Sequence, residues 1–110
     1  MTYEEIFNAS KEIIMRSDVS GIDTNLAVEV DIVGEGEGAF YIELKNGVLS
    51  VEPYEYYDHD CKFIVSGKNF LRLAEDKLDP VFAFTTGRLR VEGSLEKALE
   101  FQKISKAVKR

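Results

Sequence analysis

Residues 25–53 constrain this chain more tightly than any other stretch. Leu26, Val28, Val30 and Ile32 alternate with Ala27, Glu29 and Asp31. Phe40, Ile42 and Leu44 then alternate with Tyr41, Glu43 and Lys45, and Leu49 and Val51 share a face further on. A period of two puts each apolar set on one side of a strand. Asn46-Gly47 joins the second and third runs, and this dipeptide is the strongest short hairpin signal. The glycine-rich turn GEGEG (34–38) joins the first and second. These residues predict a three-stranded antiparallel meander with an acidic solvent face.

The remaining segments read as helices and two further strands. Thr2 and Glu5 have capping-box spacing, and Ile6, Phe7, Ile13 and Ile14 follow on one helical face. Gly21 marks the end of that helix or the loop after it. Beyond the aromatic linker YEYYDHD (54–60), Cys61, Phe63 and Val65 form the inward set of a strand. Ser66 opens a helical stretch containing Phe70, Leu71, Ala74 and Leu78. Asp79-Pro80 restarts it, with Asp79 as N-cap and Pro80 where a missing N–H costs nothing. Gly87 stops that second helix. Leu89 and Val91 point inward from a last strand, with Arg88, Arg90 and Glu92 outward. Ser94 caps a final helix whose apolar face comprises Leu95, Ala98, Leu99, Phe101, Ile104 and Val108. The order α, β, β, β, β, α, α, β, α predicts an α+β fold with helices mostly on one face of the sheet.

Length and composition set outer bounds. The 110 residues have the size of a single domain, expected to span 1–110. Apolar residues make up 45%, enough for one core and too many for a disordered chain. No apolar run approaches the ~18 residues of a membrane span, and the N-terminus lacks signal-peptide character. A soluble, cytoplasmic protein is expected. The single cysteine, Cys61, excludes an internal disulfide framework. The net charge is −6, divided into −11 over residues 1–60 and +5 over residues 61–110. An acidic whole disfavours nonspecific nucleic-acid binding. The basic half could face an anionic headgroup or carboxylate; more simply, the two halves attract each other within one fold.

The chemistry-bearing clusters carry little. GEGEG follows a strand, but no helix N-terminus follows to hold phosphate, and Glu35 and Glu37 would repel it. Asp58-His59-Asp60-Cys61 places four ligand types in a row. Adjacent residues seldom converge on one ion, and no second Cys or His exists elsewhere in the chain. A Cys61–His59 nucleophile pair would need the two side chains within hydrogen-bond reach. No constellation supports catalysis, and no metal or cofactor is expected. The apolar inventory is distinctive, with seven Phe, five Tyr and no Trp. Short, broken helices over a sheet can leave an apolar tunnel, although a plainly packed core is the simpler reading.

A resemblance sharpens this. Asp60-Cys61 followed by FIVSGKNFLRLAEDKLDPVFAFTTGRLRVEGSLEKALEFQ resembles the sterol carrier protein 2 (SCP2) sterol-binding family. It is most specific at LDP, the following AF, GRLRVEG and ALEFQ; IELKNGVLSVEP also fits. The match covers about residues 25–105. It implies a five-stranded, largely antiparallel sheet with helices on one side and a hydrophobic tunnel between them. It implies noncatalytic binding of fatty acids, acyl-CoA esters, phospholipids or sterols, without metal or redox cofactor. Residue by residue, it places Phe82 and Phe84 on the helix over the tunnel, Leu89 and Val91 on the strand beneath, and Leu99 and Gln102 on the closing helix. Gln102 needs a polar partner there, either a ligand oxygen or water at the rim. Two alternatives stay open: an interaction or homodimerisation module using Tyr54, Tyr56 and Tyr57, and an acyl-CoA-handling partner of an enzyme. Lys103, Lys106, Lys109 and Arg110 leave transient membrane contact open as well.

Overall fold

Each predicted helix start is occupied by its capping side chain. In the computed structural model, which describes residues 1–109, Thr2 caps α1 (Tyr3–Ile14) through a complete capping box with Glu5. Ser66 caps α2 (Gly67–Ala74), Asp79 caps α3 (Pro80–Thr85) and Ser94 caps α4 (Leu95–Lys106). The strands are β1 (Leu26–Val33), β2 (Gly38–Lys45), β3 (Val48–Glu52), β4 (Cys61–Ser66) and β5 (Leu89–Gly93). Asn46 and Gly47 both have positive φ, 52° and 79°, as a two-residue hairpin between right-twisted strands requires.

The five strands form one mixed sheet in the order β3-β2-β1-β4-β5. Three of its four pairings are antiparallel, and the meander has the expected order. β1 and β4 run parallel, from Val28 opposite Cys61 to Val33 opposite Ser66. The fold is α+β. Buried Leu26, Val28, Val30, Ile32, Phe40, Ile42, Leu44, Cys61, Phe63 and Val65 line one sheet face. Ile6, Ile14, Phe70, Leu73, Ala98, Phe101 and Ile104 cover it from the helices.

Three local expectations are corrected. The stretch opened by Ser66 ends at Ala74, before Leu78. Asp76 adopts a left-handed conformation (φ 59°), and the Asp76 and Lys77 N–H groups donate to the Leu73 and Arg72 carbonyls. This Schellman arrangement closes the helix without glycine, while Leu78 is buried in the following turn. The sheet's acidic face is partly covered: Glu29 is only 4% exposed because the 53–60 loop crosses it. There the Tyr56 N–H donates to Glu29, the Tyr56 hydroxyl donates to Glu43, and the Tyr56 ring packs on Tyr41. Finally, Arg88 precedes β5 and lies over the Phe82 ring, toward the helix layer and not the outer strand face.

Asp60 joins three elements. Its N–H donates to the Ala27 carbonyl, its carboxylate accepts from the Ala27 N–H, and its carbonyl accepts from the Ser94 N–H. Gly93 passes beside that carbonyl with φ 92°; an added Cβ would lie 2.7 Å from the Asp60 oxygen. Neither backbone can yield without breaking these bonds. Gly93→Ala is therefore expected to lower stability by about 2–4 kcal/mol. Urea titration checks this as a lower midpoint at unchanged slope.

Candidate functional site

The helix layer does not cover the sheet evenly. α4 crosses over β1 and β4, so its apolar face divides. Ala98, Phe101 and Ile104 enter the core, whereas Leu95 and Leu99 remain 53% and 50% exposed. α3 has only six residues; it buries Pro80 and Ala83 and leaves Val81 and Phe84 half exposed. Between α3 and α4, along the β5 edge, lies a groove of about 180 Å³. Pro80, Val81 and Phe84 form one wall, Leu95, Ala98 and Leu99 the other, and Leu89 and Val91 the floor.

Every lining side chain is apolar, so the groove has affinity for hydrocarbon and no group to read a polar head. Half-exposed Val81, Phe84, Leu95 and Leu99 are a standing cost in water that an apolar ligand would remove. Burying them is worth on the order of 4 kcal/mol. The volume equals roughly six water molecules' share of liquid, below the ~300–1,000 Å³ of most small-molecule sites. Phe40, Phe63, Phe70 and Phe101 fill the space further inward.

The structure brings four of the six sequence-indicated side chains together: Phe84, Leu89, Val91 and Leu99 line the groove. Phe82 lies on another face of α3, 53% exposed, with the Arg88 guanidinium 5.5 Å from its ring centre. Gln102 is outside the lining, and its amide donates to the Asp79 carboxylate at 3.4 Å. Pro80, Val81, Leu95 and Ala98 were missed as lining residues. Leu95 and Ala98 were legible as an apolar face, but their separation from Phe101 depends on where α4 crosses the sheet.

The other polar clusters have structural partners. Cys61 is fully buried, and burial pushes its thiol pKa up to about 12, so it is not a nucleophile at neutral pH. His59 Nδ1 lies against the Tyr56 carbonyl.

On the opposite sheet face, Lys62 reaches Glu29 at 3.4 Å and Asp31 at 3.7 Å, joining the basic half of the chain to the acidic half. One Asp31 carboxylate oxygen is buried without a donor. Burial, followed by the adjacent Glu29 carboxylate, raises the Asp31 pKa to about 6, while Glu29 is held below its ordinary value. Because Asp31 binds its proton more tightly when folded, its contribution is full below about pH 4. It is lost as pH rises through about 6. Glu29 acts in the opposite sense, at lower pH. Thermal melts between pH 4 and 7.5 are expected to show stability falling across the pH 4–6 window. Asp31→Asn should flatten that fall.

These features define a class: an α+β domain with one sheet face under helices and an apolar groove opening at the sheet edge. The sequence model of the SCP-2 sterol transfer family matches residues 5–106, and the chain belongs to that family. It is 27% identical to sterol carrier protein 2 of Arabidopsis thaliana over 94 residues, covering 86% of this chain and 74% of that protein. It is 31% identical to human sterol carrier protein 2 over 71 residues, 64% of this chain but only 13% of the human protein. Among solved structures, palmitated SCP2L2 from Aedes aegypti superposes with a TM-score of 0.67 at 17% identity, covering 96% of this chain and 95% of that one. No described helix is long and apolar enough to cross a membrane.

Proposed function

We propose that residues 1–110 act as one noncatalytic carrier that binds a single apolar lipid chain in the α3–β5–α4 groove. The observation carrying this reading is the convergence of half-exposed Val81, Phe84, Leu95 and Leu99 on a wholly apolar groove. Family membership and the palmitated relative support it. Phe84, Leu89, Val91 and Leu99 would contact the chain. Gln102 would act indirectly, by tying α4 to the N-cap of α3. Each buried methylene contributes about 0.8 kcal/mol, so a chain filling the groove has a driving force near 5 kcal/mol before ordering costs. A sixteen-carbon chain exceeds the groove. It must trail along the exposed Phe84–Leu99 rim or displace α3, whose six residues make this the easier helix to move.

The proposed ligand is a fatty acid, its acyl-CoA thioester, a phospholipid or a sterol-like molecule; the lining offers none of them a polar partner, so the polar head of any of them lies outside the groove. Organic extraction of the purified protein followed by mass spectrometry tests the reading, together with displacement of a fluorescent fatty acid. A co-purifying lipid and displacement at micromolar concentration are expected. Absence of both would overturn it. The competing reading, a homodimerisation module, draws on Tyr54 and Tyr57, which are 64% and 86% exposed. A strictly monomeric sedimentation profile counts against that reading.

A further inference from the structure

α4 turns toward solvent a stripe of side chains that no other element covers. Leu95, Leu99, Gln102 and Lys106 lie on it, spaced four, three and four residues apart. That is the spacing of a helix–helix seam. Glu96 and Lys103 flank the stripe on one side, seven residues apart, with Leu99 close to their midpoint. Both are exposed, and neither forms an ion pair with a described residue. By contrast, Lys97 and Lys106 of the same helix reach the carboxylates of Glu100 and Asp76.

The stripe is complementary to itself in one orientation. A parallel copy of α4 would set Glu96 against Glu96 and Lys103 against Lys103, and like charges across an interface repel. An antiparallel copy, related by a two-fold axis beside Leu99, sets Glu96 opposite Lys103 on both sides and Leu99 against Leu99. Leu95 and Leu99 are also one wall of the groove, with Val81 and Phe84 half exposed on the other. A helix laid along that wall overhangs the mouth of the groove.

We propose that a second copy of this chain pairs on this stripe through antiparallel α4 helices, roofing each groove with the other's leucines and joining the two grooves into one enclosed apolar chamber. Each copy offers only four half-exposed apolar side chains, Val81, Phe84, Leu95 and Leu99. An interface of standard size engages about 20–30 residues a side. Two empty copies therefore pair weakly. A hydrocarbon chain too long for one groove of about 180 Å³ supplies the missing apolar area, because the part that leaves the first groove is covered by the second copy. Lipid binding and pairing then strengthen each other reciprocally. This linkage rests on the carrier reading; the orientation of the seam rests on Glu96, Leu99 and Lys103 alone. Tyr54 and Tyr57 belong to the loop over the opposite sheet face and take no part.

Analytical ultracentrifugation of the delipidated full chain tests it, with and without hexadecanoic acid below its micellar concentration. The fatty acid is expected to tighten pairing about tenfold. Glu96→Lys and Lys103→Glu should each weaken pairing at least about tenfold, since each replaces two attractions with two repulsions. The double variant E96K/K103E restores the opposite signs and should pair within about threefold of the wild type. An equimolar mixture of the two single variants should pair more tightly than either alone, because each then carries the charges the other needs. Both positions face solvent, and thermal melts check that all three variants fold. Fatty acid bound to a strict monomer, or pairing indifferent to both single substitutions, would overturn the proposal. Displacement of a fluorescent fatty acid from the same preparations reads the cargo separately. Binding without pairing rejects the seam and leaves the carrier. Pairing that follows the charge exchange without any binding supports the seam and rejects the carrier.

Discussion

Phe101→Ala is expected to destabilise the protein by about 3–5 kcal/mol, a large part of the roughly 5–15 kcal/mol that holds a domain of this size together. Phe101 is 1% exposed on α4 and meets the Phe63 ring edge-on at 5.4 Å. It also lies 6.0 Å from Phe70, which meets Phe40 edge-on at 5.4 Å, and Phe40 in turn meets Phe7. These five rings run from α4 to α1 through α2 and the sheet. Truncating the first leaves a cavity that neither α2 nor β4 can collapse into, because both are fixed by backbone ladders and caps. Leu99→Ala, two residues earlier on the same helix, should cost under about 1 kcal/mol, because half of that side chain is already in water. Urea or thermal unfolding of the two variants checks the difference. Equal losses would show that the division of α4 into a core face and a groove face is wrong.

The second large effect concerns ligand rather than stability. Leu99→Glu should weaken fatty-acid binding at least about 100-fold, or roughly 3 kcal/mol, while leaving the unfolding midpoint nearly unchanged. The substituted carboxylate stays hydrated in the empty groove, since position 99 is half exposed. It loses that hydration only when hydrocarbon is laid against it, and nothing in the apolar lining can replace the lost water. Displacement of a fluorescent fatty acid, paired with a thermal melt, reads both quantities. A folded Leu99→Glu protein that binds as well as the wild type would place the lipid elsewhere, and the carrier reading would lose its site.

Both variants lie on a face that sequence periodicity treats as one. The apolar set Leu95, Ala98, Leu99, Phe101, Ile104 and Val108 is legible because helical periodicity depends only on the chain itself. Its division is not, since burial depends on which strand lies under each turn of α4. Gln102 illustrates the same limit: its need for a polar partner follows from its neighbours on the helix, but the partner, Asp79, lies 23 residues away in sequence on another element. Likewise, Phe82 and Phe84 are two residues apart on a short helix, and that spacing alone points them in different directions. Only the position of β5 decides which one borders the groove.

What depended on local physics was present in the sequence itself. The period of two in 26–51, the Asn46-Gly47 turn, the four helix caps and the strand-and-helix order all follow from side-chain spacing and backbone preference. Residues 60–102 carried the family resemblance as well. The tertiary structure decided the rest. It set the parallel β1–β4 pairing, the cover of the 53–60 loop over Glu29, the left-handed Asp76 that shortens α2, and the opening between α3 and α4. Each of these arises from contacts between residues far apart in the chain or from competition among several local endings of similar energy. The groove exists because α3 is too short to cover β5, and that shortfall becomes visible only once the strand lies beneath it.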